Sequence, residues 1–571
     1  MPRRAFFPVV VEVCVLALLA SCGGPTRTEV QRRALIPPPH VAGTVAEYAA
    51  LTGAGEVLVQ GYGVVVGLGT NGSSTVPPGL QEYFKQYLQK HGLGSWSAGT
   101  DAVSPTKFLN DRDTAIVVLR GAVHAGATKG SPFDVFVTSL PGTQARSVAG
   151  GMLMESEMRL AVGGVATPGG PGKQWAKASG PVFVNPFIDP TKPAELSKLQ
   201  EGRIIGGGTL LETRPIHLRL RQPDLSRCVQ IQNKINERFP EPRRVANALN
   251  PGVVELKIPS AYHHRPEYFL RLLTHLPLRS GPVSMERQAR EIAEAMSSSG
   301  AAHDDLALVW EAMGREVVPI VRGLYASKGP PTAFYAARTG LRLGDEMALE
   351  VVLRFAGGSD PGLQVQAIEE LGRHPNLLRA VPVLRRLVED PNELVRVAAY
   401  EALLQHGDRQ TVTRIDVSGQ FKLDLVDSHR GYVIYATQTQ EPKIVLFGKN
   451  VAVAKPIFLV TPDDMVTINA GAGDEKLSVF RKIPRSGQYS DVLRIDFLVR
   501  SLVLALGEKP EMDARGNFKG LGLTYGETVS ILYNMCKRRD IPAKFVLQEL
   551  PGVQRIYQRA SVYGRPDMPG E

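Results

Sequence analysis

The stretch GEVLVQGYGVVVGLGTNGSS, residues 55–74, carries six glycines around the β-branched run Val64–Val66. β-Branched side chains stiffen the backbone and favour an extended strand. The glycines on either side of this run allow sharp turns that other residues adopt only with strain. The stretch therefore predicts a strand that runs into a glycine-rich turn.

The same glycines raise a second interpretation, a dinucleotide site, because Gly61, Gly63 and Gly67 have a GxGxxxG spacing. Such a site needs a helix N-terminus at the glycines, so that backbone N–H groups and the helix dipole meet the pyrophosphate. Here the glycines lead into valines and then into Thr70–Ser74, which is typical of a turn. The pattern favours a strand and turn over nucleotide binding, and we expect no cofactor.

Periodic segments follow in a regular order down to residue 285. Apolar residues at helical spacing after Pro77-Pro78 predict a helix. Short runs rich in β-branched and aromatic residues predict strands. The segments are the helix with Leu80, Phe84, Tyr87 and His91, the strands Thr114–Leu119 and Phe133–Val137, the segment Gly150–Met154, and the strand Val253–Pro259. Asp224 is a suitable N-cap for a further helix that lines up Cys228, Ile231, Ile235 and Phe239.

This order of segments resembles the flagellar P-ring protein family. Ala176–Pro181 is similar to the family's alanine-led Gly-Pro element, and Gly202–Thr209 to its Gly-Arg-Ile-Pro-x-Gly turn, although the proline is missing here. The resemblance implies an α+β fold with mixed and antiparallel sheets. It also implies a structural subunit without enzymatic activity, in a homo-oligomeric ring around the flagellar rod in the periplasm, against peptidoglycan and near the L ring.

Ring assembly requires contact surfaces, and we expect them at sheet edges and in the glycine-rich loops. Plain turn geometry is an equally good explanation of the same glycines. The candidate contact residues are Gly61, Tyr62, Gly63, Gly67, Gly69, Gly202, Arg203 and Gly206.

The N-terminus has the layout of an export signal. Arg3 and Arg4 precede a short apolar core, which is too short to span a bilayer permanently. The core ends in Leu19-Ala20-Ser21-Cys22-Gly23, which resembles a bacterial lipobox, with Cys22 as the acylated residue. This implies an acyl anchor in the outer membrane, while the alternative is an ordinary signal in which Cys22 is incidental.

Composition changes along the chain predict six regions. Between residues 286 and 408, Leu363-x3-Ala367-x3-Leu371 aligns with Val395-x3-Ala399-x3-Leu403, which indicates HEAT-like helix pairs with a period of about 30 residues. The regions are a signal peptide 1–22, a flexible tether 23–50, a P-ring-like region 51–285, helical repeats 286–408, a β-rich region with a terminal helix 411–550, and a tail 551–571. The C-terminal region resembles the same family more loosely, at Pro442–Val451, at Leu506-Gly507 and in a helix over 528–538.

Charge and cysteine content narrow the function classes. The formal net charge is +10, but the basic residues are scattered, and an exported protein rarely meets nucleic acid, so we expect no nucleic-acid partner. Of four cysteines, Cys228 and Cys536 lie in the body of the chain and could form a disulfide after export. No CxxC and no cysteine–histidine cluster is present in the sequence, which argues against a structural zinc site.

Catalytic motifs are weak. Ser104 and Lys107 have the SxxK spacing of penicillin-binding proteins, but Pro105 and the absence of partner motifs argue against that chemistry. His124, His263 and His264 are isolated from any HExxH pattern. We therefore expect no enzyme, and the main prediction is a P-ring subunit. The alternatives are an outer-membrane lipoprotein scaffold with HEAT-like repeats and, third, a cell-wall enzyme.

Overall fold

The computed structural model describes residues 38–90, 104–161, 173–188, 192–279, 281–462, 464–483, 487–512 and 518–550. These residues form two compact units. Unit 1 contains the described residues up to Thr52 together with His217–Leu349, and unit 2 contains Gly53–Ile216 together with the described residues from Glu350 onward. The predicted signal peptide, with Cys22, and the predicted tail lie outside the described residues.

Strands and helices occur in separate runs along the chain, with successive strands from residue 114 to 220 and successive helices from residue 266 to 405. The strands are β1 Ala49–Thr52, β2 Val57–Val66, β3 Thr114–Val123, β4 Pro132–Ser139, β5 Met152–Leu160, β6 Gln174–Pro181, β7 Glu201–Leu210, β8 Ile216–Leu220, β9 Ala246–Asn250, β10 Val253–Leu256, β11 Val412–Val417, β12 Phe421–Val426, β13 Tyr432–Ala436, β14 Lys443–Phe447, β15 Ile457–Val460, β16 Val466–Ala470, β17 Leu477–Arg481, β18 Leu493–Ile495, β19 Glu511–Met512, β20 Phe518–Lys519 and β21 Ala543–Leu547. The α-helices are α1 Val45–Tyr48, α2 Pro78–Lys90, α3 Pro105–Leu109, α4 Leu225–Arg238, α5 Pro266–Thr274, α6 Pro282–Met296, α7 His303–Met313, α8 Val318–Arg322, α9 Pro330–Arg342, α10 Met347–Ala356, α11 Pro361–Gly372, α12 Val381–Leu387, α13 Glu393–Gln405, α14 Val499–Gly507 and α15 Tyr525–Lys537. This mixture confirms the α+β class.

Unit 1 is built on a four-stranded sheet of order β1-β8-β10-β9. Strand β1 pairs antiparallel with β8, from Ala49 opposite Leu220 to Thr52 opposite His217. The sequence prediction placed residues up to 50 in a flexible tether, and for 44–50 this was wrong. Val45 and Ala49 are buried, so the apolar side of this short segment gains more from packing than it would from remaining a linker.

Helix α4 of unit 1 confirms the predicted cap and face. Asp224 Oδ1 accepts a hydrogen bond from the backbone N–H of Arg227 at 3.2 Å, which satisfies one of the helix's unpaired donors. Cys228, Ile231 and Ile235 are buried on the side of the helix that the spacing predicted.

The first part of unit 2 is a closed barrel of order β2-β3-β4-β7-β6-β5. Strand β2 pairs antiparallel with β3 along its whole length, from Val57 opposite Val123 to Val66 opposite Thr114. Inward side chains such as Val117 and Met158 fill the barrel. Helix α2 buries Leu80, Phe84 and Leu88 against a second cluster that includes Val64 and Ile116. The predicted strand and helix are therefore both present.

The C-terminal part of unit 2 contains two further sheets. A mixed five-stranded sheet has the order β11-β12-β14-β13-β21, and an antiparallel four-stranded sheet has the order β15-β16-β17-β18. Helices α14 and α15 contribute Leu502, Leu506, Leu532 and Met535 to a core shared with these sheets. Helix α15 begins with a capping box between Thr524 and Glu527, which defines its start.

The helical repeats pack as the sequence alignment predicted. The aligned positions Leu363, Ala367 and Leu371 of α11 and Val395, Ala399 and Leu403 of α13 are all buried. An ideal Cβ placed on Gly372 would lie 3.0 Å from Ala402, so small residues let the two helices approach closely. Asp360 and Asn392 cap the two helices with their side-chain oxygens.

Candidate functional site

Three of the predicted contact residues lie within a strand and not in a loop. Gly61, Tyr62 and Gly63 are in the middle of β2, and both glycines are buried. An ideal Cβ on Gly61 would lie 2.2 Å from the backbone oxygen of Glu157 on β5. These glycines therefore let β5 approach β2 and close the barrel. Their prediction as loop positions was wrong, because the valines on both sides keep the segment extended and paired with β3.

Gly67 and Gly69 do lie in an exposed turn, directly after β2. Both have positive φ angles, +80° and +62°, which few residues other than glycine adopt easily. The backbone N–H of Gly69 donates to Asp113 Oδ1 at 2.8 Å, and Leu68 N–H donates to the Asp113 backbone oxygen at 3.0 Å. The side chain and the backbone oxygen of Asp113 thus hold the turn through its N–H groups, and the turn stays a candidate contact.

Gly202, Arg203 and Gly206 lie in β7, and here too the loop prediction was wrong. The Arg203 side chain is only 5% exposed, with Nη1 3.8 Å from Asp134 Oδ2 on the neighbouring strand β4. Its guanidinium lies over the ring of Phe136, 4.4 Å from the centroid. Arg203 is therefore enclosed by its own chain and is not available to a second subunit.

Arg203 and Asp134 instead join the barrel to the C-terminal region of unit 2. Arg203 Nη1 donates to the backbone oxygen of Gln438 at 2.9 Å. Asp134 Oδ1 accepts from the backbone N–H groups of Gly206 at 2.7 Å and Gln440 at 3.2 Å. Burial lowers the pKa of Arg203 to about 10, and the nearby Asp134 carboxylate opposes that shift. We call these five residues the barrel junction.

A second polar cluster joins the helical repeats to the same C-terminal region. Asp424 on β12 is fully buried and accepts two hydrogen bonds from Arg414, at 2.8 and 2.7 Å. The hydroxyl of Tyr400 on α13 donates to the same carboxylate. Burial, reinforced by Asp424, raises the pKa of Tyr400. The hydrogen bonds to Asp424 raise the pKa of Arg414. We call Tyr400, Arg414 and Asp424 the repeat junction.

Sequence reasoning missed both junctions. A signal for the second was available, since Asp424 stands in the strand Phe421–Val426 between leucines that are buried. A charged residue in the middle of a buried strand needs a partner, because an unpaired buried charge is very costly. Nothing in the local sequence around Asp134 and Arg203 indicated their partners.

Sequence reasoning also missed an apolar surface on the sheet β15-β16-β17-β18. One face of this sheet packs into the core, whereas the other carries Phe458, Val460 and Phe480. Phe458 is 64% exposed, and Tyr489, 63% exposed, meets Phe480 edge-on with 5.6 Å between ring centroids. We call these four residues the aromatic face. An exposed sheet face is usually polar, so this face is a candidate interaction surface.

The residues singled out for catalysis are not brought together. Ser104 and Lys107 lie at the short helix α3 and are both exposed. His124 Nδ1 lies 3.8 Å from a carboxylate oxygen of Glu56, and His263 Nε2 lies 3.2 Å from the backbone oxygen of Ile258. In the part of the chain that the structure describes, no group of three histidine, cysteine, aspartate or glutamate side chains is arranged to hold a metal ion.

The suggested disulfide is wrong for this structure, because Cys228 and Cys536 are both free thiols. Cys228 is buried in unit 1 and its thiol donates to the backbone oxygen of Pro251 at 3.1 Å. Cys536 packs against the C-terminal core of unit 2, and burial raises its pKa to about 12. Each thiol thus packs within its own unit.

Among the described helices, none is both long and apolar enough to cross a membrane.

Comparison with known proteins identifies two regions. Residues 44–311 match the flagellar P-ring protein family, and residues 334–415 match HEAT repeats. The first match extends beyond the predicted boundary at residue 285. The P-ring match ends at residue 311. The looser resemblance of the C-terminal region 411–550 to the same family therefore stays a prediction.

Individual relatives agree with this assignment. The flagellar P-ring protein of Anaeromyxobacter dehalogenans (strain 2CP-C) is 29% identical, over 59% of this chain and 85% of that protein. The flagellar P-ring protein of Geobacter sulfurreducens is 25% identical, over 60% of this chain and 89% of that protein. That of Geobacter metallireducens is 27% identical over 43% of this chain and 64% of that protein. Residues 44–311 of this chain are thus similar to the flagellar P-ring protein family, and residues 334–415 are similar to HEAT repeats.

Proposed function

We propose that this protein is a structural subunit of the flagellar P ring, which assembles around the rod in the periplasm and supports motility. The proposal rests on the family match over residues 44–311. The relatives that this chain resembles are named flagellar P-ring protein. No catalytic step is part of the proposed role. Its neighbours would be the rod, the L ring and peptidoglycan, and the acylated Cys22 would hold the chain to the outer membrane.

A ring requires two different surfaces on each subunit that meet head to tail and close by rotation. The exposed turn with Gly67 and Gly69 and the aromatic face are the two surfaces that support this role best. Aromatic residues are enriched where protein interfaces are fully buried, and the aromatic face places three of them on one sheet surface. We propose that it contacts the next copy of this chain.

The first experiment is quantitative mass spectrometry on purified hook–basal bodies, normalised to hook and rod proteins. The proposal expects this chain at an abundance comparable to a ring component, and loss of the rod-surrounding ring in a deletion strain. Absence from basal bodies, with recovery in the general outer-membrane fraction, would overturn it.

The contact surface can be tested in the same preparation. Phe458→Asp introduces a charge into the aromatic face and should reduce incorporation into basal bodies several-fold, because a desolvated charge opposes association. Leu378→Asp is the matched control, since Leu378 is 77% exposed and lies in unit 2 outside the aromatic face. Equal incorporation of both variants would exclude the aromatic face as a ring contact.

The HEAT repeats support one alternative, a lipoprotein scaffold in the outer membrane outside the flagellum. Cys22→Ser separates the anchoring question from the ring question. Loss of palmitate labelling and release from the membrane fraction would support the lipobox, whereas labelling that persists would exclude it.

A further inference from the structure

A groove of about 680 Å³ lies beside β18, the last strand of the sheet β15-β16-β17-β18. One wall is β18 with the two residues before it, and the opposite wall includes residues of α14. This volume is in the range of sites that bind small molecules and short peptides. The groove lies within unit 2 and outside the P-ring family match.

The two edges of this sheet differ. At β15, Arg538 Nη2 donates to the backbone oxygen of Phe458 at 2.9 Å, so a side chain occupies that edge. At β18, no strand of the described residues pairs with the side that faces the groove. An unpaired edge strand offers backbone donors and acceptors to another extended segment.

The groove also carries charged side chains that form no ion pair with the residues that the structure describes. Lys476, Arg494 and Lys519 line it, and none of them forms an ion pair within the described ranges. Asp491 and Glu508 line it as well, and they too form no ion pair there. Elsewhere in unit 2, lysines such as Lys422 and Lys544 do pair with carboxylates.

From these observations we propose that the groove binds an extended protein segment of mixed charge, which adds to β18 as a further strand. The backbone of the segment would pair with β18, as in other cases of strand addition. Its carboxylates would face Lys476, Arg494 and Lys519, while a positive group would face Asp491 and Glu508. The proposal goes beyond the P-ring role and does not depend on it.

The test uses the purified mature chain and a blocked synthetic heptapeptide, Asp-Val-Lys-Val-Asp-Thr-Asp, whose charged residues share one side of a strand. A control peptide of the same sequence carries N-methyl groups on alternate amides, which removes backbone donors without changing charge. Binding is measured by calorimetry, and hydrogen exchange reports on Leu493–Ile495. The proposal expects saturable binding of the first peptide only, with slower exchange in β18.

Substitutions locate the binding site. Arg494→Glu should weaken binding roughly tenfold or more, because it reverses a charge next to the ligand. Arg409→Glu is the matched control, since Arg409 is exposed and lies outside the groove. If Arg494→Glu fails to fold, Lys519→Glu replaces it. Equal binding of both peptides, unchanged exchange in β18, no saturable binding, or equal loss in the control variant would each overturn the proposal. Displacement by soluble muropeptides with no effect of N-methylation would assign the groove to cell-wall fragments instead.

Discussion

The barrel junction and the repeat junction both bury an aspartate next to an arginine, but they stabilise the carboxylate by different means. Asp134 receives its short hydrogen bonds from backbone N–H groups, and the nearest Arg203 nitrogen is 3.8 Å from Oδ2. Asp424 is held by the side chains of Arg414 and Tyr400. Loss of Asp424 would leave the Arg414 charge without its bidentate partner, whereas Arg203 would keep its hydrogen bond to the Gln438 backbone oxygen after loss of Asp134. The repeat junction should therefore be the more sensitive of the two to substitution.

The largest effect is expected for Asp424→Ala. The variant removes the acceptor of three hydrogen bonds and leaves the Arg414 charge without its bidentate partner. Breaking a buried pair costs about 3–5 kcal/mol, and we expect about 3 here, because the Arg414 side chain is 33% exposed. The free energy of unfolding of unit 2, from urea denaturation, measures this loss.

Asp416→Ala is the control for that variant. Asp416 also pairs with a basic residue, Lys422, but its side chain is 54% exposed. Surface pairs contribute little, so no measurable change is expected. If Asp416→Ala lowered the free energy of unfolding as much as Asp424→Ala, burial of the aspartate could not explain the larger effect.

A smaller effect is expected for Asp134→Ala at the barrel junction. The N–H groups of Gly206 and Gln440 lose their acceptor, which costs about 1–3 kcal/mol for the buried donors, while Arg203 keeps its bond to Gln438. Thermal unfolding measures the difference. Asp474→Ala, which removes an exposed acceptor of the Gly471 N–H group, is the control. A loss greater than that of Asp424→Ala would reverse the order of the two junctions.

Gly206→Ala should have a still smaller effect. Gly206 has a φ of +62°, and an added Cβ would lie 2.8 Å from the backbone oxygen of Gln440. Gly419 also has a positive φ, +72°, but nothing lies within 4 Å of its Cβ position. Both alanines carry the backbone cost, so a further loss of about 1 kcal/mol in Gly206→Ala reports the contact alone. Equal losses in urea denaturation would show that the contact with Gln440 is relaxed without cost.

The smallest effect is expected for Lys544→Ala, which breaks an exposed ion pair with Glu393 near the repeat junction. The hydrogen bond from Lys544 lowers the pKa of Glu393 below its ordinary value of 4.5. A lowered carboxyl pKa stabilises the folded state above the ordinary pKa, and this contribution disappears as the pH falls through the folded-state pKa. The stability difference between the two proteins should thus be small at neutral pH and vanish in acid. A difference that grows below pH 4.5 would contradict this assignment.

Local features of the fold could be predicted from nearby residues. The valines of 64–66 predicted β2, the spacing of Leu80 and Phe84 predicted α2, and Asp224 predicted the start of α4. The alignment of Ala367 with Ala399 predicted two helices that pack alike. In each case the cause acts over at most a few helical turns, so the sequence pattern carries it.

The sequence by itself thus determined the elements, the α+β class, the helical repeats and the resemblance to the P-ring family. Only the tertiary structure decided which residues are enclosed. The sequence predicted a glycine-rich loop at Arg203, but in the structure this residue lies in β7, which pairs with β4. Gln440 there contacts Asp134, which is 306 positions away in the chain. Strand order, barrel closure and the partners of buried charges depend on segments far apart in sequence. A local pattern of apolar and polar residues therefore cannot predict which distant segments come into contact.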